Sequence, residues 1–435
     1  MVRRWLAGAT VITTALTVAL SGCSGSGAGT AATTPAPASP APAATATPAA
    51  ACLTDPQAVI DRPLPESATA PMPAATSDAL DKAATEGLAQ TAAAGAVVAV
   101  RSPEGTFTKA YGVADRTSNT PMTAEMHQRI GSLTTAYTGA VVLRFAQDGL
   151  ISLDDPISSH LQGVPRGEDI TIRMLLNMTS GIASYTDDPE FQKVVRTQPA
   201  AHLAPEELLA IGLDMPRPFE PGAQYGFSYT NTILLGQLIE GVTAGTYDAA
   251  LKTIITDPLK LANTSMPNEE GTLATPHATG LTLQRLPEGQ TEPQNATDWN
   301  PSWAWSGGAL TSTAADLLPF GRALATGQGV LDAKTQTERL TFPQEGGYGL
   351  AVGCHDGWVG QAGDIPGFTT TLFHDTRSDT TVAVLTNSDI ASGDCTTSPT
   401  LPDTPKGIPC MDPATRIFTA VSQSLGHQFT PVPKS

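Results

Sequence analysis

The residues that decide the fold are RIGSL at 129–133 and the apolar segment TTAYTGAVVLRFAQD that follows at 134–148. Apolar side chains surround this second segment in a helical projection, which predicts a helix buried in the core. Gly149 ends the helix, because glycine readily adopts the left-handed conformation of a helix C-terminus. Ser132 lies at its amino end, where the helix dipole favours negative charge.

The sequence before this helix predicts another helix followed by a β-hairpin. The helix covers residues 77–94, the two strands cover 95–101 and 106–113, and a Pro-Glu-Gly turn at 103–105 joins the strands. A helix next to a hairpin favours an α+β fold with an antiparallel sheet.

The second half of the chain contains three further strand patterns, at 348–353, 368–374 and 381–386. We expect these strands to extend the sheet that the early hairpin begins. A short helix is predicted to start at 171–177, and an amphipathic helix at 415–425.

Six further segments follow one another in a fixed order. They are LDDP at 153–156, LNMTSG at 176–181, PG at 221–222 with Tyr229 and Asn231, SGGAL at 306–310, TAADL at 313–317 and GDIPGF at 363–368. Together with RIGS, they resemble the class C β-lactamases and the related DD-peptidases and esterases of the penicillin-recognising serine hydrolases, over about residues 77–390. The resemblance implies a β-lactamase/transpeptidase-like α+β fold, with an antiparallel sheet flanked by helices and a mostly helical subdomain. It implies no cofactor.

The first catalytic element of that family is a serine at the start of the buried helix, followed three residues later by a lysine that helps to remove the serine proton. A spacing of three places both side chains on one face of the helix. Ser132 occupies the serine position, but Thr135 stands where the lysine is expected. Since threonine is neither a cation nor a base at pH 7, we expect Thr135 to contribute only a hydroxyl to the substrate pocket.

The second element is a Tyr-x-Asn motif, which is intact as Tyr229 and Asn231. The resemblance implies that Tyr229 acts as the general base and later as the acid. It also implies that Asn231 holds the substrate amide.

The third element is a strand that carries lysine or histidine, any residue, and glycine. Here it reads Gln361-Ala362-Gly363, so a neutral amide replaces the basic group. We expect Gln361 to line the pocket and Gly363 to let the substrate lie close to the strand. By position, the backbone N–H of Asp364 is the second oxyanion donor, beside that of Ser132. His355 is predicted to lie at a hairpin tip.

These replacements predict a weakened hydrolase. An unperturbed tyrosine has a pKa near 10, so only about one Tyr229 side chain in a thousand is a phenolate at pH 7. Losing an acid–base element typically costs about 10² to 10⁴ in rate. Two alternatives stay open: an active β-lactamase, DD-peptidase or esterase with a rearranged base, and a non-catalytic module that binds a cell-wall peptide or a partner protein.

The first fifty residues predict export and lipid anchoring. Arg3 and Arg4 precede a short apolar run that ends in Leu-Ser-Gly-Cys23, which resembles a bacterial lipobox. We therefore expect a signal peptide at 1–22, acylation of Cys23, and attachment to the outer face of the cell membrane. Residues 23–51 are rich in Pro, Ala and Thr and predict a disordered tether, while 52–435 form the hydrolase domain.

Charge and cysteine content bear on nucleic-acid binding, on disulfide bonds and on zinc binding. The net charge of −17 argues against nucleic-acid binding, because a phosphate backbone requires a basic surface. With Cys23 acylated, four cysteines remain, which suggests two disulfides in an oxidising compartment. Of three possible connectivities we favour Cys52–Cys354 and Cys395–Cys410. No histidine, cysteine or acidic spacing suggests a zinc site.

Overall fold

A seven-stranded antiparallel sheet forms the centre of the structure, with the strand order β3-β2-β1-β11-β10-β9-β8. The computed structural model describes residues 52–63, 69–287, 290–342, 347–431 and 434. The predicted signal peptide, Cys23 and the tether lie outside these residues. The early hairpin and the late strands share one sheet, as predicted, because the first strand pairs with the last.

The strands are β1 Gly95–Ser102, β2 Gly105–Asp115, β3 Thr120–Pro121, β4 Gln128–Arg129, β5 Leu281–Thr282, β6 Gln294–Asn295, β7 Thr311–Ser312, β8 Gly353–His355, β9 Trp358–Ile365, β10 Phe368–Asp375 and β11 Thr380–Thr386. The helices are α1 Pro56–Ile60, α2 Ala74–Ala89, α3 Thr134–Gln147, α4 Ile172–Leu176, α5 Pro189–Thr197, α6 Pro205–Asp214, α7 Tyr229–Thr243, α8 Tyr247–Leu251, α9 Asp257–Leu259, α10 Trp305–Gly308, α11 Ala314–Thr326, α12 Ala333–Arg339 and α13 Pro413–Ser424. Single 3₁₀ turns cover Gly131–Leu133, Ile157–Ser159, Tyr185–Asp187 and Pro301–Trp303, and Lys252–Thr256 forms a π turn.

Both faces of the sheet are covered by helices. Successive side chains of a strand point to opposite faces, so Val98 packs with α2 and α13 while Val97 packs with α11. Every residue of β10 and β11 is buried. This double cover explains why these strands read as nearly continuous apolar and threonine runs.

Helix α3 is the buried helix predicted from residues 134–148. Most of its side chains are fully buried, and α7, α8 and α10 pack around it. Gly149 follows with a φ of +72°, which accounts for the stop. The amino end of α3 lies against β9, so the sheet and the helical part of the domain meet at Ser132.

The predicted strand at 348–353 is wrong, since only an isolated bridge joins Tyr348 to Gly353 before β8 begins. The reason is local backbone conformation. Ala351 has a φ of +54°, which no regular strand accommodates, and its N–H donates to the carbonyl of Leu176 instead of to a neighbouring strand.

Both predicted disulfides are present, Cys52–Cys354 and Cys395–Cys410. The first closes a loop of 302 residues and fastens the segment before α1 to β8. The second closes a loop of 15 residues that leads into α13. Among the described residues, no helix has both the length and the apolar character that a bilayer crossing requires.

His374 on β10 makes stability depend on pH. Burial lowers the pKa of His374 to about 4, although Asp379 and Asp375 oppose this effect. The unfolded chain therefore binds a proton between about pH 6.5 and 4 that the folded protein does not bind, so stability is full above this window and falls as the pH drops through it. We expect acidification from pH 7 to 4.5 to cost about 2 kcal/mol through this residue. Urea unfolding at both pH values should show that loss in the wild type but not in His374→Gln.

Candidate active site

Ser132 lies in the 3₁₀ turn Gly131–Leu133 that starts α3. Gly131 has a φ of +53°, and a Cβ at this position would lie 2.6 Å from the backbone nitrogen of Asp364. Only glycine fits where the turn meets β9 so closely. Arg129 lies just before this turn and is buried. Its guanidinium donates to three carbonyl groups, those of Gly271, Ala296 and Thr297, and so holds the strand that leads into the turn.

Tyr229 faces Ser132 from the first residue of α7. Its Oη lies 2.8 Å from Ser132 Oγ, within hydrogen-bonding distance. The Tyr229 backbone N–H donates to Ser184 Oγ at 3.1 Å, and the ring packs against Trp303 with a centroid distance of 5.7 Å. The structure thus brings together the predicted nucleophile and the predicted base.

The electrostatic surroundings of Tyr229 oppose ionisation. Burial raises the pKa of Tyr229, and the carboxylate of Asp364 adds to this effect. The hydrogen bond with Ser132 and the positive charge of Arg285 act in the opposite direction but do not cancel it. The phenolate is therefore rarer at neutral pH than in an unperturbed tyrosine.

Thr135 is fully buried one helical turn beyond Ser132. Its Oγ1 donates to the carbonyl of Gly307 at 3.3 Å, which joins α3 to α10. A Cβ on Gly307 would lie 2.9 Å from Cδ1 of Tyr229, so position 135 lies close to the tyrosine ring. The Thr135 hydroxyl is therefore used in a contact between two helices and has no accessible surface for the predicted substrate contact.

Asn231 is placed differently from the predicted substrate contact. It is fully buried, its Oδ1 accepts from Ser180 Oγ at 2.7 Å, and its Nδ2 contacts Met178 Sδ at 3.4 Å. These contacts tie α7 to the 176–181 segment. In this arrangement Asn231 has no accessible surface to offer a ligand.

Gln361 and Asp364 belong to β9, beside the Ser132 turn. Nε2 of Gln361 lies 3.4 Å from the carbonyl oxygen of Ser132, and its buried Oε1 has no hydrogen-bond partner among the described residues. The backbone nitrogen of Asp364 lies next to Gly131, as the oxyanion prediction requires. Its side chain is turned towards Gln284 and Lys434, at 3.2 and 2.6 Å.

Gly363 is the point of closest approach between β9 and the Ser132 turn. A Cβ there would lie 1.8 Å from the carbonyl oxygen of Ile130, a backbone atom that cannot rotate away. We expect Gly363→Ala to destabilise the fold by about 3 kcal/mol or more and to move β9 away from Ser132. Gly241→Ala is the matched control, because that exposed position on α7 has no atom within 4 Å of the new Cβ. The midpoint of thermal unfolding should fall in Gly363→Ala and rise in Gly241→Ala, since alanine favours a helix more than glycine does.

A cavity of about 960 Å³ opens beside Ser132 and Gln361, whereas Tyr229, Thr135, Asn231, Gly363 and Asp364 are not part of its lining. Its wall is mainly apolar, and the polar side chains on it include Ser132, Gln361, Tyr348 and His355. This size and lining are typical of small-molecule sites. His355 does end β8 at a hairpin, as predicted, and it also reaches this wall.

The comparisons with known proteins agree with this geometry. Residues 80–397 match the family described as Beta-lactamase.

The chain belongs to the beta-lactamase family.

A solved relative is the D-stereospecific amidohydrolase from Streptomyces sp., with 30% identity, a TM-score of 0.65, and coverage of 72% of this chain and 94% of that one. Protein flp of Staphylococcus aureus is 28% identical over 176 residues, and the matched part spans only 34% of that relative and 39% of this chain. The putative penicillin-binding protein PbpX of Bacillus subtilis is 24% identical over 279 residues, covering 63% of this chain and 65% of PbpX.

Two charged residues near this beta-lactamase-family site were missed by the sequence reasoning. Lys434 lines the cavity, and its Nζ contacts Asp412 as well as Asp364. Burial and the nearby Asp364 raise the pKa of Asp412 to about 7, against the opposing effect of Lys434. Arg285, in the loop after β5, is the other one. Neither belongs to a motif, so no local pattern could have indicated it.

Within the part of the chain that the structure describes, no group of three or more His, Cys, Asp or Glu side chains could hold a metal ion.

Proposed function

We propose that this protein is an exported, lipid-anchored serine hydrolase of low activity, which is acylated slowly at Ser132 by amide, ester or D-amino-acid peptide substrates. The observation that carries the proposal is the 2.8 Å contact between Ser132 Oγ and Tyr229 Oη beside a neutral Thr135. The nucleophile and the base are in contact, whereas the side chain that would sustain fast turnover is absent from position 135.

The reaction would proceed in two steps. Ser132 Oγ attacks the substrate carbonyl carbon while its proton passes to the Tyr229 phenolate, and the backbone N–H groups of Ser132 and Asp364 stabilise the oxyanion. The carbon–nitrogen or carbon–oxygen bond then breaks, and the leaving group takes the proton from Tyr229. Water hydrolyses the ester on Ser132 in the reverse order. Each step is slow because the reactive phenolate is rare.

The substrate class is inferred from the cavity and from the relatives. The apolar wall with a few polar groups suits a small acyl group with hydrogen-bonding atoms. The amidohydrolase from Streptomyces sp. is D-stereospecific by its description, and PbpX is described as a putative penicillin-binding protein. D-amino-acid amides and peptides of the cell wall are therefore the first substrates to test.

Export and anchoring rest on residues 1–51 alone. The two arginines, the apolar run and Leu-Ser-Gly-Cys23 support cleavage before Cys23 and its acylation. A tether rich in proline would then hold the hydrolase domain away from the lipid. Labelling of cells with a fatty-acid analogue should mark the wild type and leave Cys23→Ala unmarked.

The activity is tested by a substrate panel that compares the full chain with Ser132→Ala. Suitable substrates are a chromogenic cephalosporin, short-chain nitrophenyl esters, D-amino-acid amides and a fluorescent penicillin. We expect slow turnover or slow covalent labelling with at least one of them, and none in Ser132→Ala. Equal rates for the two proteins with every substrate would overturn the proposal in favour of a non-catalytic binding module.

A further inference from the structure

The loop that follows β5 contacts two residues beside the candidate active site, Asp364 and Trp303, through two consecutive side chains. Gln284 Nε2 donates to Asp364 Oδ1 at 3.2 Å, which fastens the loop to the third catalytic element. The guanidinium carbon of Arg285 lies 4.3 Å from the centroid of the Trp303 ring, a stacked cation–π arrangement. The backbone at Arg285 has a φ of +56°, so the loop turns sharply at this residue.

Trp303 connects Arg285 to the reacting groups. Its ring lies 5.7 Å from that of Tyr229, and Tyr229 Oη lies 2.8 Å from Ser132 Oγ. Two charged groups affect Tyr229 from the surrounding elements: Arg285 lowers the pKa of Tyr229, and Asp364 raises it.

Two nearby carboxylates, Asp389 and Asp364, act on Arg285 and oppose the effect of burial on its pKa. Asp364 is bound to the ammonium group of Lys434 at 2.6 Å. Burial raises the pKa of Asp389 well above its ordinary value, which favours its neutral form. Among the described residues, Arg285 makes no ion pair of its own. Burial lowers the pKa of Arg285 to about 10, so the guanidinium remains charged at neutral pH.

We propose that Arg285 is the positioning cation of this active site: stacked on Trp303 next to Tyr229, it supplies part of the electrostatic effect that a lysine at position 135 would supply. The inference rests on the proposed function, because it assigns Arg285 a role in the reaction of Ser132 and Tyr229. A guanidinium gives up its proton far less readily than an ammonium group. Arg285 therefore stabilises the Tyr229 phenolate but cannot take the Ser132 proton.

The test measures the ionisation of Tyr229 directly in the full chain. Tyrosine carrying ¹³C at Cζ is incorporated, and the Tyr229 signal is assigned by its loss in Tyr229→Phe. The titration is recorded for the wild type, Arg285→Gln, Arg285→Lys and Asp364→Asn. Arg144→Gln is the matched control, because it removes the same charge about 18 Å along α3 from Ser132.

We expect the pKa of Tyr229 to rise in Arg285→Gln, to return towards the wild-type value in Arg285→Lys, and to fall in Asp364→Asn. Arg144→Gln should titrate like the wild type. The rate of Ser132 labelling by a fluorophosphonate at pH 8 should fall about threefold to tenfold in Arg285→Gln and recover in part with lysine. The probe concentration at half-saturation should not change.

An unchanged pKa of Tyr229 in Arg285→Gln would overturn the inference, whatever the labelling rate. This outcome is distinct from failure of the proposed function, which would appear as wild-type protein that no probe labels at Ser132. The titration decides the role of Arg285 in either case, because it does not require turnover.

Discussion

Thr135→Lys is expected to raise the rate of Ser132 acylation by about 10²- to 10⁴-fold, which is the rate gain that a general acid or base typically contributes. Position 135 lies one turn beyond Ser132 on the same face of α3, next to the Gly307 backbone that touches the Tyr229 ring. A lysine there would place a positive charge beside the phenolate. Burial would also lower the lysine pKa, so the amine itself could take the serine proton. Stopped-flow measurement of acylation by a nitrophenyl ester would record the gain.

Two control variants separate this effect from a change in packing. Thr135→Val removes the hydroxyl but keeps the shape, and it should be acylated at nearly the wild-type rate. The double variant Ser132→Ala/Thr135→Lys should not be acylated at all. A folded Thr135→Lys protein with no gain in rate would contradict the assignment of position 135 as the missing catalytic cation.

Tyr229→Phe is expected to lower the rate of Ser132 acylation by about 10²- to 10⁴-fold while leaving the fold intact. The phenol oxygen is the group in contact with Ser132 Oγ, at 2.8 Å, and phenylalanine preserves the ring packing against Trp303. The same pre-steady-state assay applies. Circular dichroism and the unfolding midpoint would establish that the variant is folded.

Tyr247→Phe is the matched control for this prediction. Tyr247 is buried, and like Tyr229 its hydroxyl contacts a side-chain hydroxyl, that of Thr138 on α3 at 2.7 Å. It has no contact with Ser132, so its loss should change stability but not the acylation rate. If Tyr229→Phe were acylated as fast as the wild type, the base would have to be another group.

Much of the fold followed from local sequence patterns. The apolar character of 134–148 and its glycine stop define α3 within one residue of its observed end at Gln147. The alternation and turn residues of the first hairpin define β1 and β2 closely. The bounds of these elements depend on residues close together in the chain, so they can be predicted from a single sequence. The failed strand at 348–353 shows the limit, because the Leu176 carbonyl that binds Ala351 is far away in sequence.

The site was predictable where the chain carries a motif and not elsewhere. Ser132 and Tyr229 were identified from their motifs, and the structure places them in contact. Arg285 is positioned by stacking on Trp303, and Lys434 by two carboxylates from separate elements. Asn231 retains its motif but is used for internal hydrogen bonds. The positions of Arg285, Lys434 and Asn231 therefore depend on tertiary packing, which no local sequence pattern predicts.

In the proposed reaction Ser132 is a slow but specific nucleophile, and this role can be measured. Its most direct test is a time course of intact-mass spectrometry on the full chain with an excess of fluorescent penicillin, followed by peptide mapping. We expect a single acyl group to accumulate slowly on the peptide containing Ser132 and not to form in Ser132→Ala. A wild-type protein that stays unmodified throughout, or an adduct that forms equally in Ser132→Ala, would contradict it.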